Sequence, residues 1–339
     1  ATLLIRVAFC KQGVGMKKNN LISTGLIAIS SLIVGCSDSS TRENPTTSDV
    51  LSVSSTNPLP TEDRSGEIIK IPENLTKIVS LVPSVTQILD DLGQSEKLVG
   101  IDNQSQLKET NQKVSRFDMM TIDLEMLLAL EPQVVFVSDI NVYAEAKILK
   151  QLKQVGITVI NIPTSDTIES IQADVQFVAD CVGQHNQGKV LVENMQADIA
   201  QLKAMGNRIK QRKTVSFEVA ALPEIYSCGS GVFLDEMITT IGAKNVYHDQ
   251  SGWLAITEES AIERNPDVIF TNVTYIPDPI DEIVARKGWA QVTAIKEKEV
   301  YRIDNMTSSL PNHHIVEAMK EMANILYPEA YAQLEFSHV

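Results

Sequence analysis

The chain has 339 residues, with 29 Lys+Arg against 43 Asp+Glu, a formal net charge of -14 and 43% hydrophobic residues. That hydrophobic share belongs to a globular protein and excludes a wholly disordered chain. The acidity, with only 5% aromatics, argues against a nucleic-acid groove or a face for anionic membranes. At roughly 100–200 residues per domain, the length suggests two or three domains.

Residues 1–15 precede Met16 and read as a doubtful leader. From Met16 the chain reads MKKNNLISTGLIAISSLIVGC. Two lysines precede an apolar run from Leu21 to Gly35, which fits a secretory signal over 16–36. The run is shorter than the roughly 20 residues that a membrane span needs. It ends in Ile33-Val34-Gly35-Cys36, which resembles a bacterial lipobox, where the Cys thiol takes the lipid. The alternative is an uncleaved anchor with an incidental Cys. Residues 37–64 are rich in Ser, Thr, Asn and Pro and read as a flexible tether. The mature protein is then expected outside the cytoplasmic membrane. Cys181 and Cys228 remain for the body, either paired or as two buried free thiols.

Beyond the tether, β-branched runs alternate with helical stretches. Lys77–Val82, Leu98–Ile101, Val134–Val137 and Ile157–Ile162 read as strands, and Thr86–Leu92 and Ala144–Val155 as helices. Such alternation predicts an α/β fold with mostly parallel sheets. Residues 186–212 then form one long helical stretch, with Leu191, Met195, Ile199, Leu202 and Ile209 on a stripe. Strands resume at Lys213–Val219, Val268–Thr271 and Val300–Ile303, and a helix closes the chain near Ile315–Leu326. The expected organisation is an N-terminal lobe (65–185), a bridging helix (186–212) and a C-terminal lobe (213–333). Both lobes would be Rossmann-like, with a ligand cleft between them.

An internal echo supports twin lobes. TIDLEMLLALEPQVVFVS (121–138) and AITEESAIERNPDVIFTN (255–272) both carry a Glu, a Pro seven residues later, and then a strand. The repeat singles out Glu125 and Glu259. Coincidence is the competing explanation, since a Pro commonly precedes a parallel strand.

The segments IVSLVPSVTQILDDLG (78–93), LVGI (98–101), IDLEMLLALEPQVVFV (122–137), SGVFLDEMITTIGAKNV (230–246) and WLAITEESAIERNPDVIF (253–270) occur in this order. Together they resemble the substrate-binding lipoproteins of ABC importers for iron chelates and cobalamin, over about residues 67–333. The resemblance implies a binding protein rather than an enzyme. It also implies a permease with its ATPase as partner, and a cobalt- or iron-containing complex as cargo, with no intrinsic cofactor. It places Glu125 and Glu259 on the two lobes as the acids that dock on permease arginines. It places Trp253, Phe117 and Tyr226 as aromatic ligand contacts, with Met119 beside Phe117. Pro83 and Ser84 after the first strand, and Asp304 and Asn305 after the last, should face the cleft. Ser308 falls where a cobalamin-binding relative carries a groove Arg, which favours a neutral or cationic guest over a carboxylate-rich one. A monomer is expected, and the long helix predicts only a modest change on loading.

Two rival readings remain. A direct metal-ion receptor would need several converging ligands, whereas a haem or chelate receptor could use one histidine of the His313-His314 pair on the bound metal. His313-His314 are adjacent and on a helix would splay about 100° apart, which opposes a shared ion. A doubly wound α/β enzyme with an unrecognised site is the other rival, although G-x-S-x-G, P-loop and G-x-G-x-x-G motifs are all lacking.

Overall fold

The computed structural model describes residues 57–108, 113–332 and 334. The leader, the signal segment with Cys36, and residues 37–56 lie outside the described residues.

The N-terminal lobe is built on five short parallel strands. They are β1 (Ile78–Ser80), β2 (Leu98–Asp102), β3 (Ser115–Phe117), β4 (Val134–Val137) and β5 (Thr158–Asn161), in the order β3-β2-β1-β4-β5. β4 is buried at every position, as expected of a parallel strand covered on both faces. The helices are α1 (Pro83–Asp91), α2 (Leu124–Ala129), α3 (Asp139–Gln154) and α4 (Ile168–Cys181). Pro83 opens α1, where its missing N–H costs nothing. Thr167 caps α4 by accepting from the Ser170 backbone N–H.

Helix α5 (His185–Gly206) runs for 22 residues, about 33 Å, and leads into the second lobe. It ends earlier than the sequence stripe suggests, because Ile209 lies beyond the turn that follows Gly206. The helix is seated at both ends by glycines. A Cβ on Gly188 would lie 2.3 Å from Ala179 Cβ on α4. A Cβ on Gly206 would lie 2.3 Å from the Thr240 carbonyl oxygen.

The C-terminal lobe contains β6 (Thr214–Glu218), β7 (Ile225–Cys228), β8 (Lys244–Asn245), β9 (Trp253–Ile256), β10 (Val268–Thr271) and β11 (Val300–Arg302). Four of these form a parallel sheet, β11-β10-β6-β8, while β7 and β9 pair as an antiparallel ribbon. Its helices are α6 (Phe233–Thr240), α7 (Glu258–Arg264), α8 (Pro279–Ala285), α9 (Thr293–Lys296), α10 (Asn305–Ser309), α11 (Ile315–Leu326) and α12 (Pro328–Tyr331). The fold is therefore α/β, with two lobes carrying parallel sheets.

The folded body begins earlier than composition suggests. Leu59 packs on the N-lobe core, and Arg64 Nε meets Asp174 Oδ1 at 2.6 Å. Asp63 accepts from the Asn161 and Ser65 backbone N–H groups at 3.0 and 2.8 Å. Residues 57–64 are held mainly by polar contacts, so their tether-like composition hides their attachment. Cys181 and Cys228 are buried free thiols, one in each lobe's core.

Candidate ligand cleft and docking face

Strand ends of the N-terminal lobe meet α10 and the segment after it, from the C-terminal lobe, at a seam. After β1 come Val82, Pro83 and Ser84, and after β4 comes Ser138. These residues, with Met119, Ile140, Thr164, Asp174 and Pro311 of the other lobe, line a cavity of about 20 Å³. That is room for about one water. Beside it Met119, Ile140 and Leu310 form a buried cluster joined by Met120 and Met306. The cavity lining includes no Lys, Arg or His, and its one charge is Asp174. Burial pushes the Asp174 carboxyl up, opposed by hydrogen bonds from the Ser165 hydroxyl and from Arg64.

The lobes are also tied elsewhere. The Ile168 N–H donates to Glu236 Oε2 at 2.8 Å, and Ile168 and Ile171 pack into the C-lobe core. The segment Leu310–His314 lies along α1. Pro311 faces Pro83 and Ser84, Asn312 donates to Gln87, and His313 and His314 reach Asp91.

Pro83, Ser84 and Met119 are at the seam. Asn305 is half-buried and donates to the Asn272 carbonyl at 2.7 Å, next to Met306. Asp304 is exposed and caps α10, accepting from the Thr307 N–H at 2.9 Å. The three aromatics expected at the cleft are all buried. Phe117 is 3% exposed and belongs to the N-lobe core with Val79, Leu81 and Leu127. Its ring lies so close to Gly100 that a Cβ there would sit 2.6 Å away. Trp253 is 7% exposed and stands edge-on to Phe233, with ring centroids 6.0 Å apart. Tyr226 shares that C-lobe cluster. Partners on the antiparallel ribbon explain this: Tyr226 and Cys228 alternate onto the core face, and Trp253 sits opposite Cys228. Ser308 is likewise buried, donating to the Asp304 carbonyl and accepting from Asn272 Nδ2.

The reading of His313-His314 also fails. Both residues precede α11, in a turn, so helical splay does not apply. Their Nε2 atoms lie 2.9 and 2.7 Å from the same Asp91 Oδ2.

The echo is structural as well as sequential. Asp123 caps α2 and Thr257 caps α7, each accepting from a backbone N–H three residues on. Glu125 and Glu259 follow in the first turns, both exposed. Each helix is succeeded by a left-handed residue, Glu131 at φ 52° or Asn265 at φ 44°. A Pro and a central strand, β4 or β10, come next. The two acids thus occupy matching places on the two lobes.

The periplasmic binding protein model matches residues 78–307. The chain belongs to that family. A Bacillus subtilis protein described as an uncharacterized ABC transporter substrate-binding lipoprotein, YvrC, is 28% identical over 94% of this chain and its own whole length. The vitamin B12-binding protein of Vibrio parahaemolyticus is 23% identical over 74% of this chain and 89% of its own. Among solved structures, the molybdate-bound MolA of Haemophilus influenzae superposes with a TM-score of 0.71 at 23% identity. That match covers 82% of this chain and 94% of MolA, and it supports the fold. The two-lobed α/β architecture with a bridging helix is the one expected from sequence.

Proposed function

We propose that this chain is the substrate-binding component of an ABC importer. It captures a metal complex at the seam between its lobes and presents it to a permease driven by an ATPase. The observation that carries this reading is the meeting of N-lobe strand ends with Met306, Leu310 and Pro311 of the C-terminal lobe at a methionine-rich seam, within a chain of the periplasmic binding protein family. Polarizable methionines adapt to irregular, largely apolar surfaces. The cavity lining offers no Lys, Arg or His to an oxyanion, and its one carboxylate, Asp174, is already paired with Arg64, which favours a neutral or cationic complex such as cobalamin or a ferric siderophore of that charge. Drug-sized guests occupy about 300–1,000 Å³, so loading must repack Met119, Met306 and Leu310. Glu125 and Glu259 dock on permease arginines: two separated charges fix orientation as well as attraction. The lipid on Cys36 keeps the protein at the outer face of the membrane.

The test is a thermal-shift series with cobalamin, several ferric siderophores, haem and molybdate. A specific ligand at a hundredfold excess over its Kd stabilises the folded chain by about 2.7 kcal/mol. Stabilisation by cobalamin or a siderophore, but not molybdate, is the expected result. Stabilisation by molybdate alone overturns the cargo assignment. A flat response to all of them removes the ligand claim.

A further inference from the structure

Where Leu310–His314 reaches the far end of α1, it builds a second site that the cargo reading does not use. We propose that Asp91, His313 and His314 bind a divalent transition-metal ion of the zinc or nickel type, and that this ion clamps the C-terminal lobe onto α1 of the N-terminal lobe. The site lies about 12 Å along α1 from Pro83 and Ser84, so it is separate from the seam cavity.

The geometry supports this in three ways. First, a carboxylate oxygen and one imidazole nitrogen from each histidine all lie within 4.8 Å of one another. The Asp91 side chain is 7% exposed and those of His313 and His314 are 0% and 13% exposed, so the ligands are already withdrawn from water. Two imidazoles and a carboxylate are a donor set suited to zinc and its neighbours. Second, the distant nitrogen of one ligand is already oriented. His314 Nδ1 lies 2.8 Å from Glu317 Oε1, on the first turn of α11. A carboxylate holding the far nitrogen of a ligating histidine fixes its tautomer and raises its basicity. Third, the positive charge now at Asp91 is easily displaced. Lys108 Nζ contacts Asp91 Oδ1, yet its side chain is 70% exposed. A cation bound at Oδ2 would do the same job with ligands from both lobes.

The arrangement also holds together with protons alone. The two nitrogens of His314 lie within hydrogen-bond distance of Asp91 and Glu317, and His313 Nε2 within that of Asp91, so protons on these rings can hold the cluster. Metal and proton compete for the same lone pairs, so loading releases protons. What distinguishes the two cases is saturable uptake of the ion.

The experiment titrates the chelator-stripped chain with Zn²⁺ by calorimetry and with Co²⁺ by visible absorption. Expected are one ion per chain, a Co²⁺ spectrum of nitrogen and oxygen ligation, and an increase in thermal stability. Asp91→Asn and His314→Ala should each reduce affinity by more than tenfold. Glu317→Gln, which leaves the ligands in place, should reduce it by about tenfold. His248→Ala removes another histidine paired with a carboxylate, that of Asp235, and should change nothing. Uptake that is absent, or equal in wild type and His314→Ala, overturns the proposal. If the variants fail to fold, X-ray absorption of the zinc-loaded wild type decides, and a coordination shell without two imidazoles refutes the site. Cargo binding is measured separately in excess chelator, so failure of the metal site leaves the importer reading untouched, and the reverse.

Discussion

Arg286 offers the sharpest test of how the C-terminal lobe is held. Its side chain is 1% exposed and forks onto Glu218, which is 4% exposed, with contacts of 2.7 and 2.8 Å. Its Nε also donates to Glu282 Oε1 at 2.9 Å, and the guanidinium lies 4.7 Å from the Trp289 ring centroid. Glu218 ends β6, and Arg286 directly follows α8, so the pair fastens helix to sheet. Arg286→Met keeps much of the stem's packing but strands a buried carboxylate. The cost of removing one partner of a buried pair is about 3–5 kcal/mol. Adding Glu218→Gln removes the stranded charge, and the double variant should recover most of that loss. A pH dependence follows. Burial already pushes the Glu218 carboxyl up, against the pull of Arg286. An acid whose pKa is higher folded than unfolded binds protons more tightly when folded, so its contribution to stability falls as pH rises. Without Arg286 that rise is larger, so the deficit of Arg286→Met should be greater at about pH 8 than at about pH 5. Urea denaturation of the three proteins at both pH values measures this. A single variant within about 1 kcal/mol of wild type, or a double variant no better than the single, refutes the argument.

Other expectations follow from the same contacts. Gly206→Ala drives a Cβ into backbone at Thr240 and Gly242, and should cost at least about 1–3 kcal/mol in thermal or urea unfolding. For Asp63, burial raises the carboxyl, but hydrogen bonds from Ser65, Glu67 and Asn161 outweigh it and hold it below the usual range. That stability is present above the unfolded value of about 3.9 and is lost as pH falls through the folded one, so Asp63→Asn should flatten the acid limb of a pH-stability curve. Glu125→Arg with Glu259→Arg should leave cargo affinity and fold stability unchanged, because both side chains are exposed, while uptake through the permease falls at least tenfold. Normal uptake by that double variant would exclude the docking role.

The sheets and the bridging helix were legible because their residues announce their surroundings. Runs such as Val134–Val137 are apolar at every position, and α5 holds its stripe over many turns. The echoed Glu–Pro–strand units were legible because cap, turn and strand entry each restrict residue type. The cleft was harder to read. Tyr226 and Trp253 lie on a two-stranded ribbon whose pairing exists only in three dimensions, and that pairing turns both into the core. Ser115–Phe117 is too short to show alternation, so the burial of Phe117 against Gly100 left no trace in the sequence. The histidine pair was misread for a related reason. Its geometry depends on where α11 begins, and the residues just before a helix do not follow its 100° rotation. Asp91 could not be paired with them by inspection, since 222 positions separate it from His313.

The glycine seats of α5 constrain how the two halves exchange positions. Gly188 lies against Ala179 of one half, and Gly206 against the Thr240–Gly242 turn of the other. Neither joint has slack for a swivel, because close backbone and methyl contacts would collide before a door-like swing developed. Compliance must come from flexure spread along the rod itself, as in the stem of a tuning fork, so the mouth widens by small elastic travel.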